Sequence, residues 1–281
     1  MPTLPSGRAP DPEPQPHELR SVAESFGIDV ERYDRTRPSY PTELLARIID
    51  HGPGRTVLDV GCGTGILARQ LQAAGCTVTG VEPDARMAAL ARRSGVPVEI
   101  ATLEEWDPAD ASFDVVVAGQ AWHWVDPVAG AAKAARVLRP GGLLAVLWNV
   151  MQPPPEVTDA FATAYRRVAP DSSFAVGTPT QDAYRALTDK AIDGLRQAGG
   201  FAPAEQWHTE WDQHYDRAAW LDQLPTHGAL TTLGAERQAE VVREVGAAIE
   251  ALGGSMTVHY TTVALTAVRT AVRTGRAYGQ A

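Results

Sequence analysis

The sequence predicts an α/β fold built on a mostly parallel sheet covered on both faces, and two observations carry that prediction. Between Thr56 and Trp148 five strand-length apolar runs alternate with helical stretches, the pattern of crossover units whose helices bury a parallel sheet. A glycine-rich turn, Gly61-Cys62-Gly63-Thr64-Gly65, follows the first run, at the carboxyl edge where open parallel sheets take ligands. Size permits such a core, since 281 residues bury about three quarters of the surface of the unfolded chain.

The elements follow in order. A short amphipathic helix is expected over Leu19–Phe26, ended by Gly27, and a second from Pro41, where Leu44, Leu45, Ile48 and Ile49 recur at helical spacing behind a first-turn proline. Thr56–Val60 is a buried strand, Ile66–Ala74 a helix, and Thr77–Val81 the next strand. Asp84 caps a helix reaching Arg93, and strands are expected over Val96–Ala101 and Phe113–Ala118. A helix over Val128–Leu138 stops at Pro140-Gly141-Gly142, and the apolar run Leu143–Trp148 is another strand. Beyond Pro153-Pro154-Pro155, helices are expected over Val157–Val168, Ala191–Ala198, Arg217–Leu224 and Ala235–Leu252. Glu205–Trp211 and the alternating Val and Thr of Thr257–Val268 read as strands.

Composition excludes several classes of function. Twenty-five Lys and Arg against 34 Asp and Glu leave a net charge of −9, which argues against nucleic acid as a partner. Cys62 and Cys76 make neither a disulfide framework nor a zinc spacing, and His208 and His214 lack the ligand pattern of a metal site. No apolar run is long enough to insert into a membrane. The prolines between Pro2 and Pro16 read as a disordered leader over residues 1–18 rather than a secretion signal, so a cytoplasmic location is expected. A single domain is expected over residues 19–270, with a flexible tail over 271–281; the oligomeric state is left open.

The chemistry concentrates at VLDVGCGTG, Val57–Gly65. Glycines at the end of a strand permit positive φ and let a ligand approach the backbone; a tight turn without a ligand is the plainer alternative. The dinucleotide fingerprint G-x-G-x-x-G is not met, because Ile66 stands where its third glycine belongs. Glu82 ends the second strand, where an acidic side chain takes ribose hydroxyls or is simply solvated.

Taken together, VLDVGCGTG, VEPD, SFDVVVAGQAWHWV and AARVLRPGGLLAVLWN resemble the motifs of the class I S-adenosylmethionine-dependent methyltransferase family, in order and spacing from Tyr33 to Asn149. The resemblance implies a seven-stranded Rossmann-like sheet in order 3-2-1-4-5-7-6 with an antiparallel seventh strand, and helical lid insertions near 150–190 and 212–255. It implies S-adenosylmethionine as cofactor and S-adenosylhomocysteine as product. Gly61, Gly63 and Gly65 would line the methionine and ribose parts, and Asp59 would brace their loop. Glu82 would take both ribose hydroxyls, with Pro83 and Met87 against the adenine. The family's Asp-Ala pair at the adenine amino group falls on Thr102 and Leu103, so the carboxylate is replaced by a hydroxyl; Glu104 is the substitute. Gly119, Gln120 and Ala121 would face the amino-acid end.

The segment FGIDVERYDRTRPSYP resembles the family's N-terminal lid. Tyr33 and Arg37 are the candidates there, Arg37 pairing with the cofactor carboxylate or remaining a surface charge. His123, flanked by Trp122 and Trp124, is either the catalytic base or a structural imidazole, since its ordinary pKa suits both. Trp207, Trp211, Trp220, His208, His214 and His227 either line a substrate cavity or belong to core and surface. The N-P-P-Y motif of the DNA- and glutamine-modifying members is missing. The implied function is methylation of a small-molecule acceptor, oxygen favoured over nitrogen or carbon. The alternatives are a non-catalytic binding protein of the same fold and a nicotinamide-dependent oxidoreductase.

Overall fold

The computed structural model describes residues 25–108, 112–172 and 181–270. The expected leader over 1–18, most of the helix expected over Leu19–Phe26 and the tail over 271–281 lie outside the described residues. Gly27 ends nothing: a 3-10 turn, Phe26–Asp29, runs into helix α1, Val30–Thr36, whose first turn is capped by the Asp29 carboxylate accepting from the Arg32 N–H. Helix α2, Thr42–His51, buries Leu44, Leu45, Ile48 and Ile49.

The strands β1 (Thr56–Val60), β2 (Thr77–Val81), β3 (Val98–Glu99), β4 (Phe113–Gly119), β5 (Leu138–Gln152), β6 (Glu205–Asp216) and β7 (Ser255–Val268) form one sheet. Its order is β3-β2-β1-β4-β5-β7-β6. β1 to β5 pair in parallel, and β7 runs antiparallel to both neighbours. The strand expected over Val96–Ala101 shrinks to two residues, because β3 is an edge strand held by β2 alone. β5 is longer than expected because β7 pairs with it out to Gln152.

Helices α3 (Ile66–Ala73), α4 (Ala85–Arg93) and α5 (Pro127–Val137) are the crossovers. α5 starts where the Asp126 carboxylate accepts from the N–H groups of Val128 and Ala129. One core lies beneath α2, α3 and α4, with Ile48, Leu71 and Val117 at its centre. The other face carries Leu58, Val116, Trp122 and Trp148.

The insertions differ from expectation. α6, Pro155–Val168, leaves the sheet, but α7, Gln181–Ala198, packs along α5. Residues 181–190 therefore belong to a helix flanking the sheet, because Ala191 and Leu195 continue its apolar stripe into the core. The second insertion is shorter than 212–255, since β6 and β7 stay paired to Asp216 and Ser255. Between them run α8 (Arg217–Gln223), α9 (Gly228–Thr231) and α10 (Ala235–Ala251). With α6 they form a cap around Tyr165, Trp220, Leu230 and Val245.

Candidate functional site

A cleft opens at the carboxyl ends of β1 and β4, under α1. It holds about 530 Å³, counting the part open to solvent. Of the residues expected to bind a cofactor, Tyr33, Arg37, Asp59, Gly61, Gly63, Gly119 and Gln120 line it. Gly61 and Gly63 have φ of 62° and 55°, a left-handed backbone that other residues adopt at a cost. A Cβ on Gly61 would sit 2.6 Å from that of Ala121, which closes the loop against β4 rather than lining the cleft. Gly65, expected to line the cleft, lies outside the lining and packs against α4 and the turn before β3, its missing Cβ 3.2 Å from Val96 and 3.3 Å from Ala91. Gln120 is the one non-glycine with positive φ among the described residues, at 55°. Its amide donates to the Asn149 carbonyl at 3.0 Å, a strained backbone of the kind that collects at functional sites.

Asp59 does not brace the loop. It is 1% exposed, and neither carboxylate oxygen has a hydrogen-bond partner among the described residues. Burial first, then the Glu82 carboxylate, pushes it up to about 8; the Ala68 N–H, short of hydrogen-bond geometry, offsets this only in part. Thr64 is equally buried beside it, and its hydroxyl is also unpartnered. On the other side Arg37 is half-buried rather than a surface charge. Its guanidinium lies 4.9 Å from the Tyr33 ring centre and donates to the Thr226 carbonyl. Its Nε is buried without a partner, and it has no carboxylate partner among the described residues. The cleft thus presents one carboxyl without a hydrogen-bond partner and one guanidinium without a counter-charge among the described residues.

Other expected contacts are already in use. Glu82 is 7% exposed, its Oε2 accepting from Gly63 N–H at 2.8 Å and its Oε1 from Asp84 N–H at 2.9 Å. Burial, opposed by those two bonds, pushes it up to about 7. It ties the glycine loop to β2, and ribose hydroxyls would have to share its remaining lone pairs. Glu104 is no free substitute at an adenine: its Oε1 accepts from the Asp126 N–H at 2.8 Å. Thr102 accepts from the Glu105 N–H and Leu103 is core. Pro83 is exposed and Met87 buried, both outside the cleft lining.

His123 is outside the lining as well. Its Nδ1 accepts from the Trp148 indole at 3.4 Å, and its ring lies 4.7 Å from that of Trp124. Burial pushes it down to about 4, so the ring is neutral at ordinary pH. With Nδ1 accepting, the proton sits on Nε2, and neither nitrogen is free to act as a base.

The structure adds Tyr40 and Asn149 to the cleft. Tyr40 lies against Gly119, where a Cβ would come within 2.4 Å of its hydroxyl. Asn149 Oδ1 accepts from the Thr262 hydroxyl at 2.7 Å and its Nδ2 donates to the Ser39 carbonyl at 3.3 Å. The only sequence signals were a tyrosine next to a proline and a polar residue ending an apolar strand. Of the second-half residues, Trp220 and His227 line a second cavity, while His208 and His214 are exposed. Trp207 packs under Arg47, and Trp211 stacks on Tyr260.

Comparison with known proteins agrees with this frame. The methyltransferase domain family model matches residues 58–146. The chain is 43% identical over 133 residues to an uncharacterized methyltransferase of Mycobacterium tuberculosis, covering 46% of this chain and 54% of that one. It therefore spans about half the length of that relative. It is 32% identical over 193 residues to malonyl-[acyl-carrier protein] O-methyltransferase of Enterobacter lignolyticus, covering 66% of this chain and 72% of that one. It is also 36% identical over 126 residues to ubiquinone biosynthesis O-methyltransferase of Methylobacterium nodulans, covering 40% and 51%. Among solved structures, a candidate type II methyltransferase from Anaeromyxobacter dehalogenans superposes with TM-score 0.60 at 26% identity, over 82% of this chain and 97% of that one.

Proposed function

The chain belongs to the class I S-adenosylmethionine-dependent methyltransferase family, and on that premise we propose that it methylates an oxygen of a small molecule. The observation that carries this reading is a pair of buried groups in the cleft that lack a counter-charge, the Asp59 carboxyl and the Arg37 guanidinium. The amino-acid end of S-adenosylmethionine is a zwitterion. Asp59 would take its ammonium, Arg37 its carboxylate, and Thr64 a remaining polar contact. Unpaired buried polar groups are costly, and a ligand of matching charge removes the cost. When bound, the cofactor supplies an electrophilic methyl on a sulfonium, open to in-line displacement.

The chain's own contribution is to bind and orient. Gly61 and Gly63 let a ligand approach the loop, Gly119 admits the Tyr40 ring, and Gln120 is pinned to Asn149. Proximity and exclusion of water supply most of the rate that such a displacement needs. His123 is structural in this reading. Oxygen is favoured as acceptor because two of the relatives are named O-methyltransferases. A small molecule is favoured over nucleic acid by the net charge of −9. Among the described residues no helix is long and apolar enough to cross a membrane.

Calorimetric titration tests the reading. S-adenosylhomocysteine is expected to bind in the micromolar range, roughly −8 kcal/mol, and NAD is not. Binding of NAD in preference would return the nicotinamide alternative. Binding of S-adenosylhomocysteine with no methyl transfer to any hydroxylated acceptor would return the non-catalytic one.

A further inference from the structure

A second cavity lies beneath the cap, next to the cleft. β5 carries Asn149 into the wall of the cleft and Met151 into the wall of the cavity. Alternate residues of a strand share a face, so the two spaces lie on one side of the sheet, their wall residues roughly 7 Å apart along β5. From the opposite side, Arg37 lines the cleft and holds the carbonyl of Thr226, whose neighbour His227 lines the cavity. The cavity holds about 440 Å³, counting its open part.

Its wall is apolar, with Met151, Phe161, Trp220, Leu224 and Val245 in it. Among the described residues lining it, none is an acid, a lysine or an arginine. A charged ligand would leave water without a counter-charge there. Yet two wall residues carry a buried polar group with no partner among the described residues: the Thr158 hydroxyl and the Trp220 indole N–H, on residues 9% and 2% exposed. Behind them the Gln223 amide reaches His227 Nε2 at 3.3 Å, and Gln223 Oε1 is unpartnered too. Burial, then Arg37, pushes the His227 ring down to about 3, so it offers hydrogen bonds rather than charge. A wall of this kind asks for an apolar body with one neutral polar group.

We propose that this cavity seats the methyl acceptor, and that the acceptor is an uncharged, largely apolar small molecule whose polar group meets Thr158, Trp220 and His227. Naming the occupant the methyl acceptor rests on the methyl-transfer reading; the preference for an uncharged ligand rests on the wall alone.

The probes are 2-naphthol and 2-naphthoate, one ring system with a neutral or an anionic group, titrated calorimetrically at pH 7 into the full chain saturated with S-adenosylhomocysteine. The naphthol is expected to bind at least about tenfold more tightly than the naphthoate. Met151→Trp fills the cavity from the strand end, and Thr158→Val removes the hydroxyl at nearly constant volume. Each should weaken the naphthol about fivefold or more, with affinity for S-adenosylhomocysteine held within about twofold. No naphthol binding, equal binding of the two probes, or naphthol binding indifferent to both substitutions overturns the proposal. Should S-adenosylhomocysteine itself fail to bind the unmodified chain, the methyl-transfer reading falls and the acceptor assignment with it, whatever the naphthol titration returns.

Discussion

Gln70 holds Tyr40 by both sides of its backbone: Oε1 accepts from the Tyr40 N–H and Nε2 donates to the Tyr40 carbonyl, each at 2.9 Å. A helix side chain thereby fixes the segment before α2 as a neighbouring strand would. The Tyr40 ring is set against Gly119 at the floor of the cleft.

Gln70→Leu should therefore lower affinity for S-adenosylhomocysteine and cost about 1–3 kcal/mol of stability, because two backbone groups lose their partners. Gly119→Ala should do more harm to binding than to folding, since its Cβ would collide with the Tyr40 hydroxyl. Calorimetry and thermal melting read the two effects separately. Wild-type affinity in both variants would detach Tyr40 from the site.

Asp59 makes cofactor binding proton-linked. Its carboxyl titrates at about 8, raised first by burial and then by Glu82, so at pH 7 it is mostly protonated. Pairing with an ammonium ionises it, and binding should release close to one proton. The slope of binding enthalpy against buffer ionisation enthalpy measures that release, and Asp59→Asn should abolish it.

The same carboxyl shapes stability against pH. Its ordinary value is 3.8 and its folded value about 8, so between those limits the native chain holds a proton that the unfolded chain has lost. Stability then falls as pH rises, by up to about 1.4 kcal/mol per pH unit. Asp59→Asn should match the wild type near pH 4 and be the more stable of the two at pH 8. Parallel curves in denaturant titrations would show that Asp59 is ionised and compensated.

Arg37→Met keeps the apolar stem and removes the charge. Affinity for S-adenosylhomocysteine should fall by about 1.5–3 kcal/mol, the range for a hydrogen bond to a charged group. An unchanged affinity would confine Arg37 to its bond with Thr226.

His123→Ala should lower the melting temperature by a few degrees, from about 1 kcal/mol for the lost Trp148 bond, and leave the rate per folded molecule nearly intact. His123→Asn should recover part of the stability, since its amide oxygen can accept from the indole. A rate lost by two or more decades at unchanged stability would make His123 the base after all.

The sheet, its crossovers and the glycine loop are readable along the chain because each is written locally. Apolar runs bounded by turns mark the strands, and Asp84 marks a helix start. The positive φ of Gly61 and Gly63 is required wherever a strand turns so sharply into a helix. Tyr33, Arg37, Asp59 and Gln120 could be placed near the cleft only through the family resemblance of the segments that carry them, and all four line it. What each side chain does was not readable. Whether Asp59 stands unpaired, Glu82 is tied to Gly63, Glu104 is tied to Asp126 or His123 accepts from Trp148 depends on partners distant in sequence. Tyr40 becomes a wall of the cleft only because Gln70, on another helix, holds it there. The second cavity needs β5, α6, α8 and α10 together. Local pattern settles which element a residue joins, because propensity and hydrophobic period act over a few residues. Folding alone decides which polar atoms find partners and which are left for a ligand, because that depends on desolvation by chain segments far apart in sequence.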